Sequence, residues 1–577
     1  MSFPIPSRRP LLAFAPLAVL APWASAFDSA STELVSLSSS GVVGNGRSAV
    51  GQGRPIAMTD DGRFIAFTSQ ANNLVPGDTN GATDVFLRDR ELGTTVRCSV
   101  GDAGQQGNGS CESVSISANG RFVAYASRSN NLVPGDTNGR WDVFLWDAST
   151  GTSTLVSRSV SGFASNGDSS WPSIDAAGTR VVFRSRASNL VSNDANGRWD
   201  VFVYERLTGA VSVASVGSGD EPGAGDSETP MISRDGRFVV FASESQWDPI
   251  DPDSDTDIYV RDLVLGTTTL VGGQSGGYGA DLSRPSISSG GRYVSFQSTS
   301  TLIPDGATNG WMNVYRYDRL QDSFSLISQS TDGAAALESC YIDGMSADGE
   351  WVSFHTMDPT LVPGISGLVW RSIVRRVDQR WTEIVSIGDL GRPLDNHSGG
   401  AVLSLDGRYA CFETIDPDGS VLDNGTFDDV IVRDRGFGTG AAGGTYCDSA
   451  TNSSGAAAEL SVLGTNRLAD QQLTLRAELL PTNSLGYFLF SETADDVLGF
   501  GGSQGRLCLG GQIFRLSSFV QFSGGNGQVA LPLPFAQLPS AATLSVGDTW
   551  NFQYWFRDAV GGQPTSNTSS AVCVPLF

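Results

Sequence analysis

The chain has 577 residues, 40% of them hydrophobic, which as a prior means more than one domain with a sizeable core. Its formal net charge of −24 makes nucleic acid and anionic membranes unfavourable partners, because both carry the same sign of charge. After the N-terminal region, no segment approaches the roughly 18 uninterrupted apolar residues of a membrane-spanning helix. We therefore expect a soluble, exported protein that binds neither nucleic acid nor a lipid surface.

Residues 1–26 are predicted to be a signal peptide, with a positive start at Arg8 and Arg9, a short apolar run and a small-residue cleavage site at residues 24–26. The stretch SRRPLL leaves a twin-arginine signal open beside the standard secretory one. The mature chain would begin at Phe27 and be secreted, periplasmic or displayed on the cell surface.

A short marker with a central glycine repeats along the chain at a nearly constant period. It reads DGRFIAF, NGRFVAY, AGTRVVF, DGRFVVF, GGRYVSF, DGEWVSF and DGRYACF, with glycines Gly62, Gly120, Gly178, Gly236, Gly291, Gly349 and Gly407. Successive glycines are 58 residues apart, except for one spacing of 55. A fixed period of this length is typical of repeat architectures.

Each copy predicts four strands and no helix. In the second copy, VSIS precedes the Asn-Gly turn and RFVAYAS follows it, and DVFLWD and STLVSRSV come after a longer loop. Four strands per repeat indicate a β-propeller blade, so seven copies predict seven blades. The seventh copy lacks its fourth strand, whereas Thr32–Gly41 looks like one. We therefore predict that the N-terminal strand completes the last blade and closes the ring.

The pattern ISxDGRFVAFxS … DVFVRD … GTTxLVS resembles the TolB-like, WD40-like propeller repeat of secreted bacterial proteins. The resemblance covers roughly Thr32 to Gly440 and implies the fold. It leaves the role open, because such propellers serve as binding platforms, as partners in envelope complexes or as appendages of enzymes. A carboxylate that ends the third strand matches a WD-type structural position. In this chain that carboxylate is Asp89, Asp147, Glu205, Asp262, Asp318, Asp378 and Asp434.

Two connections in each repeat are long: the loop from the second to the third strand, and the loop to the next repeat. In an up-and-down blade both lie at the same end, which we call the long-loop face. Because long loops on a rigid scaffold often carry binding residues, this face is the predicted ligand surface.

The long loop carries the pattern D-x-N-G-x-x-D. Its candidate cation ligands are Asp78, Asn80, Asp84, Asp136, Asn138, Asp142, Asp194, Asn196 and Asp200 in repeats one to three, and Asp251, Asp253 and Asp257 in repeat four. Repeat five keeps Asn309, repeat six has lost the pattern, and repeat seven keeps Asp423 and Asp429. Calcium binds six to eight oxygens on flexible loops with a glycine at the bend. The same residue types also fold turns by bonding the backbone, so both interpretations are open.

The remaining candidate residues give weaker indications of function. Trp141 and Trp199, with Trp311 near the equivalent place, could stack on sugars or on a protein partner, or could pack between blades. The two histidines, His355 and His397, lie in different repeats and are expected to have packing or surface roles. GGSQG, residues 501–505, matches a hydrolase elbow but lacks its strand-turn-helix context.

A glycine-rich linker ends the propeller, which we place at residues 27–440. Residues 441–577 are predicted to form a β-sandwich, since some seven strands lie between glycine-rich turns. In one strand Trp550, Phe552, Tyr554 and Phe556 alternate onto a single face. Part of this region is similar to a C-terminal module of unknown role in secreted bacterial proteins. That similarity brings no catalytic residues.

The chain has seven cysteines. Cys98 with Cys111, and Cys447 with Cys508, are close enough in sequence to pair in an exported protein. The partners of the other three cysteines stay open.

The leading functional hypothesis is a secreted, monomeric, non-enzymatic scaffold that binds a protein or polysaccharide through the long-loop face and is stabilised by calcium at the Asp/Asn loops. The first alternative is a hydrolase or lyase that acts through acidic residues in the propeller channel. The second alternative is a TolB-like partner in an envelope complex.

Overall fold

The protein is described here by a computed structural model. It describes residues 31–249, 251, 255–272, 284–301, 303–304, 306–330, 333–362, 367–377, 381–388, 393–417, 419, 427–435, 444–447, 452–454, 458–464, 473–491, 493–498, 506–524, 527–533, 538, 549–560 and 563–575. The predicted signal peptide and the predicted domain boundary at residue 440 lie outside these residues. Among the described helices, none combines the length and the apolar character needed to cross a membrane.

Seven antiparallel sheets of four strands follow one another along the chain, which confirms the predicted blades. The innermost strands are Ile56–Met58, Cys111–Ile116, Ser169–Ile174, Ser227–Ile232, Ser286–Ile287, Cys340–Met345 and Ser398–Leu403. The second strands are Phe64–Ser69, Phe122–Ser127, Arg180–Ser185, Phe238–Ser243, Tyr293–Ser298, Trp351–Thr356 and Tyr409–Thr414. The third strands are Asp84–Asp89, Asp142–Asp147, Asp200–Glu205, Asp257–Asp262, Asn313–Asp318, Arg371–Arg376 and Asp429–Asp434. The fourth strands of blades one to six are Thr94–Arg97, Thr152–Leu155, Ala210–Val213, Thr267–Leu270, Ser323–Leu326 and Trp381–Ile384.

The N-terminal strand Ser31–Leu34 completes the seventh blade, as predicted. It pairs with Asp429–Asp434, with Ser31 opposite Asp434 and Leu34 opposite Ile431. The hydroxyl of Ser36 then donates a 2.5 Å hydrogen bond to Asp429 Oδ1. Because Leu34 is fully buried in the core between blades six and seven, the ring has no open sheet edge at its junction.

The repeated glycine makes room for an aromatic ring of the preceding blade. A Cβ on Gly120 would lie 2.5 Å from the ring of Phe64, and Gly120 has a φ of +72°. The other pairs are Phe122 on Gly178, Phe238 on Gly291, Tyr293 on Gly349, Trp351 on Gly407 and Tyr409 on Gly62. At the remaining junction Arg180 takes the aromatic position, and the Asp175 side chain faces Gly236 instead. The marker therefore encodes the contact between neighbouring blades.

An ion pair links the marker to the end of the third strand. The pairs are Arg63–Asp89, Arg121–Asp147, Arg180–Glu205, Arg237–Asp262, Arg292–Asp318 and Arg408–Asp434, with N–O distances of 2.6–2.8 Å. The hydrogen bonds of Arg121 hold the pKa of Asp147 down at about 2. These carboxylates therefore have the structural role expected from the sequence.

Blade six reverses the charges of this pair. Trp351 is opposite Arg376, as Phe64 is opposite Asp89 in blade one. The acidic partner comes from the marker, and Glu350 lies 3.0 Å from Arg376. The strand register places Arg376 at the position for which Asp378 is predicted, so the prediction is wrong at this position, and Asp378 itself lies outside the described residues. Blade six thus lacks the carboxylate at the end of its third strand and carries one instead in Glu350, directly before its second strand.

The C-terminal region forms further sheets, in agreement with the predicted sandwich. A six-stranded sheet contains Gly444–Cys447, Leu485–Ser491, Phe514–Arg515, Gln521–Phe522, Thr549–Val560 and Gln563–Pro575. Glu459–Gly464, Leu473–Glu478 and Val529–Pro532 form a three-stranded sheet, Thr493–Leu498 and Arg506–Gly510 form a hairpin, and Ser517–Phe519 is a 3₁₀ turn. The alternating aromatics from Trp550 to Phe556 are buried with Leu475 and Ala477, so the two larger sheets share one core.

The cysteine predictions have mixed outcomes. Cys98 and Cys111 are free thiols buried in one core, so this predicted pair is wrong. Cys508 is disulfide-bonded. The side chain of Cys447, its predicted partner, lies outside the described residues.

We expect Gly120→Ala to lower the free energy of unfolding by about 2–4 kcal/mol, because the left-handed backbone disfavours alanine and the added carbon collides with Phe64. Gly139→Ala is the matched control, since Gly139 has a φ of +64° but no atom within 4 Å of the added carbon. Urea denaturation would measure both. Equal losses in the two variants would show that the blade contact contributes nothing beyond backbone strain.

Candidate functional site

The two ends of the propeller channel differ. At the hairpin end, backbone bonds connect neighbouring blades, as from Ala347 N to Leu405 O at 3.2 Å and from Leu405 N to Asp60 O at 3.1 Å. Arg234 of blade four forms an ion pair across the channel with Asp60 of blade one. A ligand of any size would therefore approach the channel from the long-loop face.

The inner strands are irregular near the long-loop face. A β-bulge interrupts the pairing of the first and second strands in blades two, three, four, six and seven. Ser113, Trp171, Thr229 and Arg284 occupy the equivalent position in four consecutive blades, with φ values of 41°, 57°, 51° and 68°. Gly400 holds this position in blade seven with a φ of 67°. Left-handed backbone is costly for β-branched and bulky residues, and such strain is concentrated at functional sites.

Blade one covers part of this end of the channel. Its segment from Gly46 to Gly62 is five residues longer than the equivalent Gly109–Gly120. The backbone oxygen of Arg54 accepts a 2.7 Å hydrogen bond from Val114 N of blade two. A Cβ on Gly53 would contact Ser113 and Trp171 at 3.1–3.2 Å. The extra residues therefore lie on the bulges of blades two and three.

Arg54 reaches from this segment across the channel. Its Nη1 lies 3.0 Å from the sulfur of Met231, and its Nη2 donates a 3.0 Å hydrogen bond to Pro285 O. Burial and the charge of Arg284 lower the pKa of Arg54 to about 10, against the opposite effect of Asp343. A half-buried cation is thus held within the channel by contacts to blades four and five.

A cavity of about 350 Å³ opens at the mouth of the channel, between blades one, six and seven. Its functional side chains are Arg284, His355, Trp370, His397, Glu413 and Asp428. Gly51, Gly53 and Pro55 of the blade-one segment form another wall. A concave site with a few converging polar groups is the usual form of a ligand pocket.

His355 is fixed by a carboxylate and by aromatic rings. Its Nδ1 lies 2.7 Å from Asp343 Oδ1, and the rings of Tyr341 and Trp370 lie 5.6 Å and 5.4 Å from the imidazole. Burial would lower the pKa of His355, but the charge and hydrogen bond of Asp343 outweigh it and raise that pKa. Asp343 Oδ2 is buried and has no hydrogen-bond partner among the described residues.

Glu413 lies at the position in blade seven that His355 holds in blade six, 58 residues earlier. Burial, followed by the charges of Asp428 and Asp343, raises the pKa of Glu413 to about 7, while His355 and Arg47 act in the opposite direction. The half-buried carboxyl has no hydrogen bond or ion pair with the described part of the chain. It can therefore exchange a proton near neutral pH.

The predicted cation ligands of repeats one to three form a repeated hydrogen-bonded loop. In blade two, Asn138 Nδ2 donates to Asp142 Oδ2 at 2.6 Å and to Ser165 O at 2.9 Å, and Asn138 Oδ1 accepts from Arg140 N at 2.7 Å. Ser157 of the fourth strand donates a 2.6 Å bond to Asp142 Oδ1. Asn80 with Asp84, and Asn196 with Asp200, repeat this arrangement. In each loop the amide nitrogen, not the amide oxygen, faces the aspartate.

The first aspartate of each loop lies close to the last one. Burial, and then the charge of Asp142, raises the pKa of Asp136 to about 6. Burial also raises the pKa of Asp200 to about 6, and it raises the pKa values of Asp78 and Asp194. Within the described residues, no three or more His, Cys, Asp or Glu side chains cluster as a metal site would require.

Later repeats modify the loop. In blade four Asp251 accepts a 2.6 Å hydrogen bond from the Tyr259 hydroxyl, Asp257 is buried, and Asp253 lies outside the described residues. In blade five Asn313 replaces the last aspartate and donates a 2.9 Å bond to Asn309 Oδ1, so the polarity of the contact is reversed. The motif therefore serves loop geometry even where its charge has been lost. Asp423, predicted for blade seven, lies outside the described residues.

The tryptophans of the long-loop face lie outside the blade cores. The guanidinium of Arg128 is 5.4 Å from the Trp141 ring centre, and that of Arg184 is 4.5 Å from Trp199 and 5.2 Å from Trp171. These three rings are half-buried, and Trp311 is 42% exposed. Blades two and three thus carry arginine guanidinium groups over half-buried tryptophan rings on this face.

Comparison with solved structures finds propeller proteins among the matches. A putative TolB from Agrobacterium tumefaciens has a TM-score of 0.31 and 15% identity, over 47% of this chain and 79% of that chain. In fold, the chain is a β-propeller similar to TolB and WD40 propellers. The WD40 repeats of RRP9 have a TM-score of 0.35 and 11% identity, over 67% of this propeller chain and 97% of theirs.

A prolyl endopeptidase structure is a further match, with a TM-score of 0.41 and 11% identity, over 76% of this chain and 56% of that chain. No protein-family model and no curated protein sequence matches the chain. At these identities the likenesses concern the fold of the propeller and not its ligand.

The cavity residues were not singled out as a site by sequence reasoning. His355 was expected to have a packing or surface role, because Asp343 lies in another strand. One signal was available: His355 and Glu413 differ by one repeat length, so they had to be neighbours in a closed ring. The bulges and the blade-one segment leave no comparable pattern.

Replacing Glu413 with glutamine is expected to raise the melting temperature more at alkaline than at acidic pH. Because the folded-state pKa of about 7 exceeds the ordinary glutamate pKa of 4.5, the folded protein holds this proton up to a higher pH than the unfolded chain does. Stability is therefore lost as pH rises through this window, and the neutral variant avoids the loss. Calorimetry across the window would measure it, with exposed Glu244→Gln as the control for one lost charge. A pH-independent difference would contradict the assignment.

Proposed function

We propose that this protein is an exported, non-enzymatic propeller that binds a polysaccharide through its long-loop face. The carrying observation is the arginine and aromatic surface of blades two and three, with Trp141, Trp171 and Trp199 under guanidinium groups. Flat aromatic rings bind the apolar faces of sugar rings, while arginines and amides bind their hydroxyls. The closed hairpin end supports an approach from this side, since Arg234 and Asp60 span the channel there.

A protein partner is the other form of the same hypothesis. Tryptophan and arginine are also enriched in protein interfaces. The polysaccharide is supported by the row of three half-buried rings, each with a guanidinium group over it. A TolB-like role in an envelope complex stays a prediction of the family resemblance.

An enzyme is the second candidate, and the cavity at the channel mouth favours it. Glu413 has a pKa of about 7, and His355 is held by Asp343 at 2.7 Å. Carboxyl and imidazole groups tuned in this way can act as general acid and base. A hydrolase or lyase would shorten the polysaccharide, whereas a binding protein would leave its length unchanged.

The binding proposal is tested by affinity measurements of the mature protein on a panel of neutral and acidic polysaccharides. We expect Trp199→Ala to weaken binding by about tenfold or more, because it removes a central aromatic platform. Leu207→Ala is the control, since Leu207 is 79% exposed on the opposite, short-turn face. Equal affinities of the Trp199 and Leu207 variants would remove this surface from the proposal.

The length of the polysaccharide after incubation separates binding from catalysis. Unchanged length with tight binding supports the scaffold. Shortened chains, lost in Glu413→Gln, would establish the enzyme instead. If no polysaccharide binds and a protein partner is captured in a Trp199-dependent manner, the protein form of the hypothesis replaces this one.

Calcium at the Asp/Asn loops is a separate proposal, and the hydrogen bonds offer an alternative to it. Asn138 Nδ2 donates to Asp142, so a cation would require the amide to rotate and the bond to break. We therefore expect the same melting temperature in calcium and in chelator. A higher temperature in calcium, abolished by Asp136→Asn, would establish the cation sites predicted from the sequence.

A further inference from the structure

Unpaired cations and donors gather at the mouth of the channel. Arg284 lines the mouth cavity and Arg54 lies below it, close enough for the two charges to repel. Neither arginine forms an ion pair with any carboxylate of the described residues. Arginines that are partly withdrawn from water are normally paired with a carboxylate, so two neighbouring arginines without one need an explanation.

Three neighbouring side chains have unused hydrogen-bonding groups. The hydroxyls of Ser113 and Thr229 and the Nε1–H of Trp171 are buried and have no partner in the described part of the protein. They occupy the bulge position that Arg284 holds in the next blade, so the four lie at one level of the ring. The indole N–H can only donate, and an unsatisfied buried donor points to a missing acceptor.

The carboxylates of the cavity do not neutralise these cations. Asp343 is bonded to His355 at 2.7 Å, and Asp428 lies 2.5 Å from Arg47. Glu413, with a pKa of about 7, holds its proton up to neutral pH. The charge left over at the mouth is therefore positive, although the chain as a whole is acidic.

We propose that the mouth of the channel, at Arg54 and Arg284, binds a single carboxylate of an acidic sugar in the polysaccharide ligand. The proposal rests on the proposed function and specifies its ligand as a uronate-containing chain. Arginine recognises a carboxylate through paired N–H donors. A single carboxylate fits better than a long polyanion, because salt screens the attraction of the two arginines beyond about 8 Å, and the chain as a whole is acidic.

The strain at Arg284 supports a ligand role. An arginine with a φ of 68° is disfavoured relative to glycine, and it contributes no ion pair to the fold. A residue retained at a cost to stability is characteristic of a binding site. Arg284→Gly should therefore raise the melting temperature and weaken carboxylate binding, a combination that a structural arginine would not produce.

The test uses the mature protein and an oligosaccharide that ends in a uronate, compared with the same oligosaccharide in which the carboxyl is methyl-esterified. We expect Arg284→Gly to weaken binding of the uronate form by about tenfold or more and to leave the ester unaffected. Thr229→Val, which keeps the shape and removes the hydroxyl, should lower uronate affinity to a smaller extent. Arg198→Ala, an exposed arginine of the same face, controls for general loss of positive charge.

The outcomes separate this inference from the proposed function. If both forms bind equally well to the parent protein and to Arg284→Gly, the polysaccharide proposal stands and the carboxylate site is wrong. If neither form binds, inorganic sulfate is the second probe. An increase in melting temperature with sulfate that is lost in Arg284→Gly would retain the anion site and reject the polysaccharide. No effect of sulfate in that case would reject both proposals. A melting temperature of Arg284→Gly below that of the parent, together with unchanged binding of the uronate form, would reject the carboxylate site alone.

Discussion

The contact between an aromatic ring and the glycine of the next blade is the interaction on which the propeller depends. It recurs at six junctions, including the one from Tyr409 to Gly62 that closes the ring. Each contact needs a ring in the second strand and a backbone that is both left-handed and free of a side chain. The N-terminal strand adds the remaining element, because without Ser31–Leu34 the seventh blade would have three strands and an exposed edge.

These regular contacts lie at the hairpin end of the propeller, so the residues of the long-loop face are free to vary. The hairpin end is uniform, since the same contacts repeat there from blade to blade. At the long-loop face the blades diverge: blade one has a longer entry segment, blades two to five carry left-handed residues of four different kinds, and blades six and seven contribute His355 and Glu413. The chemistry of the protein is therefore concentrated where the repeat is least strict.

The fold could be predicted from the sequence because every blade repeats the same strand and turn motifs at a nearly constant spacing. The number of glycine markers predicted the number of blades. The missing fourth strand of the seventh repeat indicated that the N-terminal strand completes that blade. The cavity could not be found in this way. The orientation of its residues depends on bulges such as that between Ile342 and Gly344. These bulges shift the pairing of the first and second strands, and no sequence pattern indicates them. The sequence places the Asp/Asn motif in the loop between the second and third strands, but the orientation of its amide depends on partners such as Ser165, which lies in a loop 27 residues away.

The reversed ion pair of blade six has a consequence for how such repeats diverge. Glu350 and Arg376 lie in different strands, so each exchange of sign had to be matched by the other. Moving either strand alone into another blade would place two like charges opposite each other. Blade six therefore keeps this ion pair only when its marker and its third strand stay together, which makes the whole sheet the smallest unit that another blade could exchange with it.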